Sequence, residues 1–236
     1  PVTEINHSIG TKPALAMLPL AFVNPGDVVF QTVPGYPVMG THSKYLGAEV
    51  VNIPLLEENA FLPDLSKIDP ALAERCKLFY INYPNNPTGA VATPEFYDEL
   101  IAFAKKYNIL IIQDAPYSTL VYDGERSSLL QRPGAKECTL ELHSMSKAYN
   151  MTGWRLGYAV GDLSLIASME ELQQYSFVCA PSVGQHMGVV ALDLDMTPHW
   201  EAYRRKRDII YNGLKDDFDV QKPGGAFYMF PAAPGG

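Results

Sequence analysis

The segment Ser144-Met145-Ser146-Lys147, followed by Gly153-Trp154-Arg155-Leu156-Gly157, brings a primary amine, two hydroxyls and a guanidinium close together in the chain. The lysine follows an apolar run, residues 139–143, that reads as a buried strand. Burial disfavours the charged form of an amine, and a desolvated lysine is a good nucleophile toward a carbonyl carbon, with which it forms a Schiff base. Ser144, Ser146 and Arg155 suit a phosphate dianion, which a guanidinium grips with two parallel hydrogen bonds. Taken alone, the segment reads equally well as a helix-capping serine beside an exposed lysine. Two further segments shift the balance. Asn85-Asn86-Pro87-Thr88-Gly89 follows an apolar run at 78–83, and Asp114 closes another at 110–113, with Tyr117 three residues on. Ligands of open α/β sheets bind beyond the C-terminal ends of strands, and Asn86, Asp114 and Lys147 all fall at such ends. An aspartate there can pair with a protonated heterocyclic nitrogen, and an Asn or Tyr can hydrogen-bond a ring oxygen.

Elements able to hold these groups are legible as apolar runs bounded by turn formers. Strands are expected at Val28–Val33, Glu49–Pro54, 78–83, 110–113, 139–143 and 156–160, with the tail of another at 2–5. Helices are expected at 11–23, Pro94–Tyr107, 163–175 and 197–218, the second N-capped by Thr93. Pro13 fits the first turn of its helix, whereas Pro19 should kink it or mark it as irregular. Residues 219–231 read as strand, Gly-Gly turn and strand, the opening of a second domain, and Gly235 and Gly236 close the chain with no terminal helix to pack. Alternating strands and helices argue for a mostly parallel α/β sheet. Gly10-Thr11-Lys12 opens the first helix, and the free N–H groups of a helix N-terminus make a natural phosphate site.

The chain has 236 residues, 47% apolar and 19% charged, with a net charge of −8 and no block of like charges. That composition supports a packed core and argues against a nucleic-acid or anionic-membrane partner. Cys76, Cys138 and Cys179 are sparse, odd in number and far from ligand spacing, which points to reduced thiols, no metal site and a cytoplasmic location. The apolar run at 14–23 is about half the ~20 residues a membrane span needs, and no signal peptide is visible. The first residue is Pro1 rather than Met, so a targeting segment upstream stays open.

In Asn86-Pro87-Thr88-Gly89, in Asp114 with Tyr117, and in Ser144-Met145-Ser146-Lys147 with Arg155, the chain resembles the fold-type I, class I/II aminotransferases. The resemblance implies a pyridoxal 5'-phosphate (PLP) enzyme. Its large domain would be a mostly parallel seven-stranded sheet with helices on both faces, over residues 1–212, without the N-terminal arm. The truncated start of a small C-terminal domain would follow at 213–236. It implies that Lys147 holds PLP covalently and shuttles the substrate proton, that Asp114 keeps the pyridine nitrogen protonated, and that Asn86 and Tyr117 bond the ring oxygen. Ser144, Ser146 and Arg155 would take the phosphate, with Gly10, Thr11 and Lys12, and Tyr36 would stack on the ring. It also implies a homodimer acting on amino acids and 2-oxo acids (glutamate and 2-oxoglutarate), and places the arginine that clamps the substrate carboxylate beyond the turn at 224–228. A narrower likeness, in residues 143–161, 54–65 and 133–137, is to family members that transaminate LL-2,6-diaminopimelate, in lysine and cell-wall synthesis. The cofactor residues alone leave open another fold-type I enzyme, such as an aspartate, alanine or aromatic aminotransferase, a carbon–sulfur lyase or a decarboxylase, or a PLP-binding regulatory module.

Overall fold

The structure, a computed structural model, describes residues 1–233; the expectation about Gly235 and Gly236 lies outside them. Its elements are, in chain order, β1 (Ile5–Ser8), α1 (Thr11–Phe22), β2 (Val28–Val33), α2 (Val38–Tyr45), β3 (Glu49–Pro54), α3 (Pro70–Arg75), β4 (Cys76–Ile81) and α4 (Pro94–Tyr107). β5 (Leu110–Asp114), β6 (Thr139–Ser144), α5 (Met145–Ala148), β7 (Gly157–Gly161), α6 (Leu163–Gln174), α7 (Ser182–Leu192) and α8 (Thr197–Leu214) follow.

The strands form one seven-stranded sheet in the order β1-β7-β6-β5-β4-β2-β3. Strands β2 to β6 pair in parallel, while β7 runs antiparallel to both β6 and β1. One reversed strand therefore sits in a sheet that otherwise points one way. Central parallel strands are covered on both faces, which requires near-continuous apolar sequence, and β4 is buried at every position but Lys77. On one face α4 packs Phe96, Leu100 and Ala104 against Phe30, Phe79, Ile81 and Ile111. Phe30 and Phe79 meet edge to face at 5.4 Å. On the other face α1, α2 and α6 bring Leu15, Leu18, Met39 and Ile166 onto Val29, Leu78, Tyr80 and Ile112.

Helix boundaries follow local chemistry. Thr93 accepts from the Phe96 N–H at 3.2 Å and Pro94 opens α4, the position where its missing N–H costs nothing. Asn108 closes the same helix in the left-handed conformation. Pro19 stays inside α1, and its carbonyl accepts the Val23 N–H at 2.9 Å. Residues 2–4 form a 3₁₀ turn, and the strand expected there begins at Ile5. The short helices α2, α3 and α7 have no counterpart in the sequence pattern.

The segment 219–231 contains no strand, contrary to the hairpin expected there. It crosses the ends of two loops instead: Gly225 N–H donates to Gly89 O, Ala226 N–H to Leu120 O and Tyr122 N–H to Gly224 O, each at 2.9 Å. Its backbone partners are loop carbonyls and amides rather than another strand, so no ladder propagates.

The reversed strand fixes how closely the site-bearing ends approach. Gly157 opens β7 and pairs with Ser144 on one side and Ser8 on the other. A Cβ on Gly157 would lie 2.6 Å from His143 O and 3.0 Å from Gly10 Cα. Both are backbone atoms and cannot swing aside. Gly157→Ala is therefore expected to destabilise the fold by about 1–3 kcal/mol, the usual cost of overpacking. Urea denaturation of the two proteins measures it, and an unchanged midpoint would show that the strand ends have room to spread.

Candidate active site

Because six strands share a direction, their C-terminal ends lie on one edge, and because β7 is reversed, its beginning lies there too. A cleft of about 280 Å³ opens at that edge. Ser8 at the end of β1 leads to Gly10 and the start of α1; β4 leads to Asn82 and Asn86; β5 ends in Asp114; β6 ends in Ser144 and feeds α5 with Ser146 and Lys147. Arg155 arrives just before β7. The cleft is lined by all eleven residues singled out from the sequence, namely Gly10, Thr11, Lys12, Tyr36, Asn86, Asp114, Tyr117, Ser144, Ser146, Lys147 and Arg155. Asn82, Pro116, Thr152 and Tyr228 line it as well. Asn82 and Thr152 sit within the motifs already described, whereas Tyr228 comes from the far end of the chain and no local pattern marks it.

Asn82 and Asn85 build the loop that carries Asn86. Asn82 donates from Nδ2 to the Asp114 carbonyl at 2.7 Å and accepts the Asn86 N–H on Oδ1 at 2.8 Å. Asn85 Oδ1 accepts from the N–H and hydroxyl of Thr88 at 3.1 and 2.8 Å. These buried amides act as surrogate backbone partners where the strand has ended.

Asp114 is buried, and its two oxygens differ. Oδ2 receives the Tyr80 hydroxyl at 3.3 Å, whereas Oδ1 is enclosed with no partner. Burial pushes its carboxyl up to about 7, opposed by the hydroxyls of Thr11 and Tyr80. Tyr117 and Tyr228 share a hydroxyl–hydroxyl hydrogen bond of 2.5 Å, and the Tyr117 ring lies edge-on to Phe227. Burial first, then Tyr228, raises the Tyr117 hydroxyl above its ordinary value.

At the opposite end of the cleft, Arg155 occupies the left-handed region at φ 52° and donates to the carbonyls of Ile9 at 2.6 Å and Thr152 at 3.1 Å. No side chain caps α1 at Gly10, so its first N–H groups face the same space. Gly10, at φ +97°, leaves that space open: a Cβ there would stand 2.5 Å from Arg155 Nη2. Ser144 Oγ accepts the Ser146 N–H at 3.1 Å and so starts α5. The burial expected for Lys147 is only partial. It projects from α5 between this cleft and a second cavity of about 560 Å³ in front of α8, with its Nζ 5.6 Å from the Phe227 ring centroid. Lys12 Nζ stands 5.5 Å from the Tyr36 ring.

Fold and cleft together define an α/β ligand-binding domain with its site beyond the strand ends. The chain belongs to the aminotransferase class I and II family, whose model matches residues 1–234. It is 45% identical over 242 aligned residues to an LL-diaminopimelate aminotransferase of Methanocaldococcus jannaschii, covering 99% of this chain and 57% of that one. The apo structure of BacF from Bacillus subtilis superposes with a TM-score of 0.94 at 38% identity, over 100% of this chain and 61% of that one. A probable N-succinyldiaminopimelate aminotransferase from Thermus thermophilus gives a TM-score of 0.94 at 33% identity, over 99% and 64%. This chain thus spans about three-fifths of the length of the relatives it matches.

Aminotransferases of this family use PLP, and the cleft fits it. The orphaned Oδ1 of Asp114 is a buried acceptor of the kind a protonated ring nitrogen satisfies. The uncapped N-terminus of α1 beside Arg155 suits a dianion.

Without a ligand, Asp114 should weaken the fold as pH rises. Its pKa in the folded protein, about 7, stands above the ordinary 3.8, so the native state holds the proton more tightly and loses that advantage between pH ~4 and ~7. Ligand-free Asp114→Asn is expected to match the parent near pH 4 and to exceed it at pH 8 by on the order of 1–4 kcal/mol. Chemical denaturation at the two pH values tests the sign; a variant equally or less stable at pH 8 would mean the carboxylate is well solvated.

Proposed function

We propose that the intact protein is a PLP-dependent transaminase that moves an amino group between LL-2,6-diaminopimelate and 2-oxoglutarate. The observation carrying the cofactor is the pairing of an unsatisfied buried carboxylate oxygen, Asp114 Oδ1, with a lysine on the same cleft, and the family match supports transamination as the reaction. The substrate assignment is supported by relatives 40–45% identical over nearly the whole chain, all named LL-diaminopimelate aminotransferase.

When bound, the cofactor supplies an electron sink for the carbanion formed at the substrate α-carbon. Lys147 is the residue that would hold it covalently, and its amine would serve as the base and acid for the proton at the substrate α-carbon. Asp114 would favour the protonated ring nitrogen by offering it an opposite charge. Asn86 and Tyr117 would donate to the ring oxygen, and the Tyr228 hydroxyl contacts that of Tyr117. Ser144, Ser146, Arg155, Lys12, Thr11 and the N–H groups after Gly10 take the phosphate. Tyr36, on the cleft lining, would pack on the ring face.

The same reading makes residues 1–212 the large domain and 213 onward the start of a small one, and places the enzyme in the cytoplasm, in keeping with three unpaired cysteines. It makes the protein a homodimer. α7 supports this, since Val183, Val189 and Val190 are 63%, 66% and 59% exposed on a helix that buries only Gly184, Gly188 and Ala191. An apolar surface of that kind marks an interaction site.

The deciding experiment uses the full-length protein. Bound PLP should be fixed by borohydride onto the peptide containing Lys147, and a donor screen with 2-oxoglutarate should give glutamate fastest from LL-2,6-diaminopimelate. Label on another lysine would overturn the site, and preference for a different donor would overturn the substrate.

Assembly has its own test. The full-length protein should sediment as a dimer, and Val189→Asp with Val190→Asp should shift it toward monomer by at least about tenfold in dissociation constant, or ~1.4 kcal/mol. A monomeric parent would remove the dimer from this reading.

A further inference from the structure

We propose that Tyr80 is a positioning residue for Asp114: its hydroxyl engages one carboxylate oxygen from within the sheet, so that the other is presented to the cofactor's ring nitrogen. This rests on the PLP reading above.

Tyr80 lies on β4 and pairs in register with Ile112 of β5. Asp114 is two residues further along β5, on the same face, which is the diagonal neighbour a long aromatic side chain reaches. Tyr80 is 0% exposed and packed among Leu15, Leu78 and Ile112. A phenylalanine would fill that space without a polar atom to satisfy, and burying an unpaired hydroxyl is costly. The one hydrogen bond of the Tyr80 side chain among the described residues is to Asp114 Oδ2, at 3.3 Å.

Two consequences follow for the carboxylate. A carboxyl group flips readily between equivalent half-turns, and a donor fixed in the sheet removes that equivalence by engaging one oxygen. Oδ1 is left buried and unpartnered, on a residue that lines the cleft. The same donor stabilises the ionised carboxylate, which favours a proton residing on the ring nitrogen over one residing on Asp114. Thr11 assists from the helix side, but it also lines the cleft, whereas Tyr80 does not.

The test compares the full-length parent with Tyr80→Phe, each loaded with PLP labelled with ¹⁵N in the ring. Both should carry the cofactor on Lys147 after borohydride reduction. In Tyr80→Phe the ring ¹⁵N resonance should move toward the unprotonated position, and PLP should bind about tenfold more weakly, the loss expected for one hydrogen bond to a charged group. An unchanged resonance and affinity would overturn the proposal and leave Tyr80 as core filling. Should Tyr80→Phe fail to fold, site-specific 3-fluorotyrosine at position 80 keeps the ring and strengthens the donor. It should move the resonance the other way, and no movement would overturn the proposal equally. A parent that takes up no PLP on Lys147 would overturn the functional reading and this inference with it, an outcome distinct from an unaltered Tyr80→Phe.

Discussion

A shared strand direction is the constraint on which this molecule depends. Five strands, β2 to β6, pair in parallel, and each must be joined to the next by a crossover. Every crossover starts from the same edge, so the loops after β4, β5 and β6 converge there. The reversal of β7 then does what a further parallel strand could not, because it delivers Arg155 to that edge from its own N-terminal side. β1, paired to β7, returns its C-terminal end to the same place and launches α1 with its N-terminus facing the cleft. The apolar layers on both faces hold these strand ends in register, and the glycines at 10 and 157 let them approach to near contact.

The cleft holds polar groups under conditions that do not favour them. Asp114 sits where burial outweighs the two hydroxyls that stabilise its charge, and one of its oxygens has no partner. Tyr117 and Tyr228 share a hydroxyl–hydroxyl hydrogen bond, and Arg155 donates to the carbonyls of Ile9 and Thr152. Such arrangements persist because the surrounding core is large enough to tolerate local loss, and they are the usual mark of a site organised around a group that completes it. The stability contributed by the layers around β4 and α4 is what permits an unpaired carboxylate oxygen at the end of β5.

A second polar network decides where the C-terminal segment lies. Arg207 on α8 is buried and reaches Asp123, Asp208 and the Pro223 carbonyl. Its guanidinium is buried while the carboxylates of Asp123 and Asp208 stay partly exposed, and arrangements that would leave the buried guanidinium unpaired are strongly disfavoured. Here it joins α8, the loop after β5 and the run toward Gly225. That junction brings Tyr228 onto Tyr117 and Phe227 between Tyr117 and Lys147. Residues more than a hundred positions apart thereby share one wall of the cleft.

The sequence by itself determined the strands from β2 to β6 closely, because each is an apolar run too short for a helix and bounded by turn formers. It also marked α4, where Thr93, Pro94 and the apolar spacing agree. Asn86, Asp114 and Lys147 were legible because they lie at strand ends, and a common strand direction turns that one-dimensional fact into proximity; Gly10, Thr11 and Lys12 were marked by a helix start, and Tyr36 by the family resemblance alone. The short helices α2, α3 and α7 were not legible. They are short, two carry no strong apolar stripe, and α7 is apolar nearly all round, so no periodicity announces them. Residues 219–231 read as a hairpin from composition alone, yet a strand exists only where a partner offers a ladder, and the nearest backbones are loops. Tyr80 and Tyr228 illustrate the remaining limit. On paper each is one tyrosine among fourteen. Only the register of β4 against β5 puts the first hydroxyl on Asp114, and only the path of residues 223–226 across the loops after β4 and β5 puts the second on Tyr117, since a hydrogen bond depends on where two atoms meet and not on where they stand in the chain.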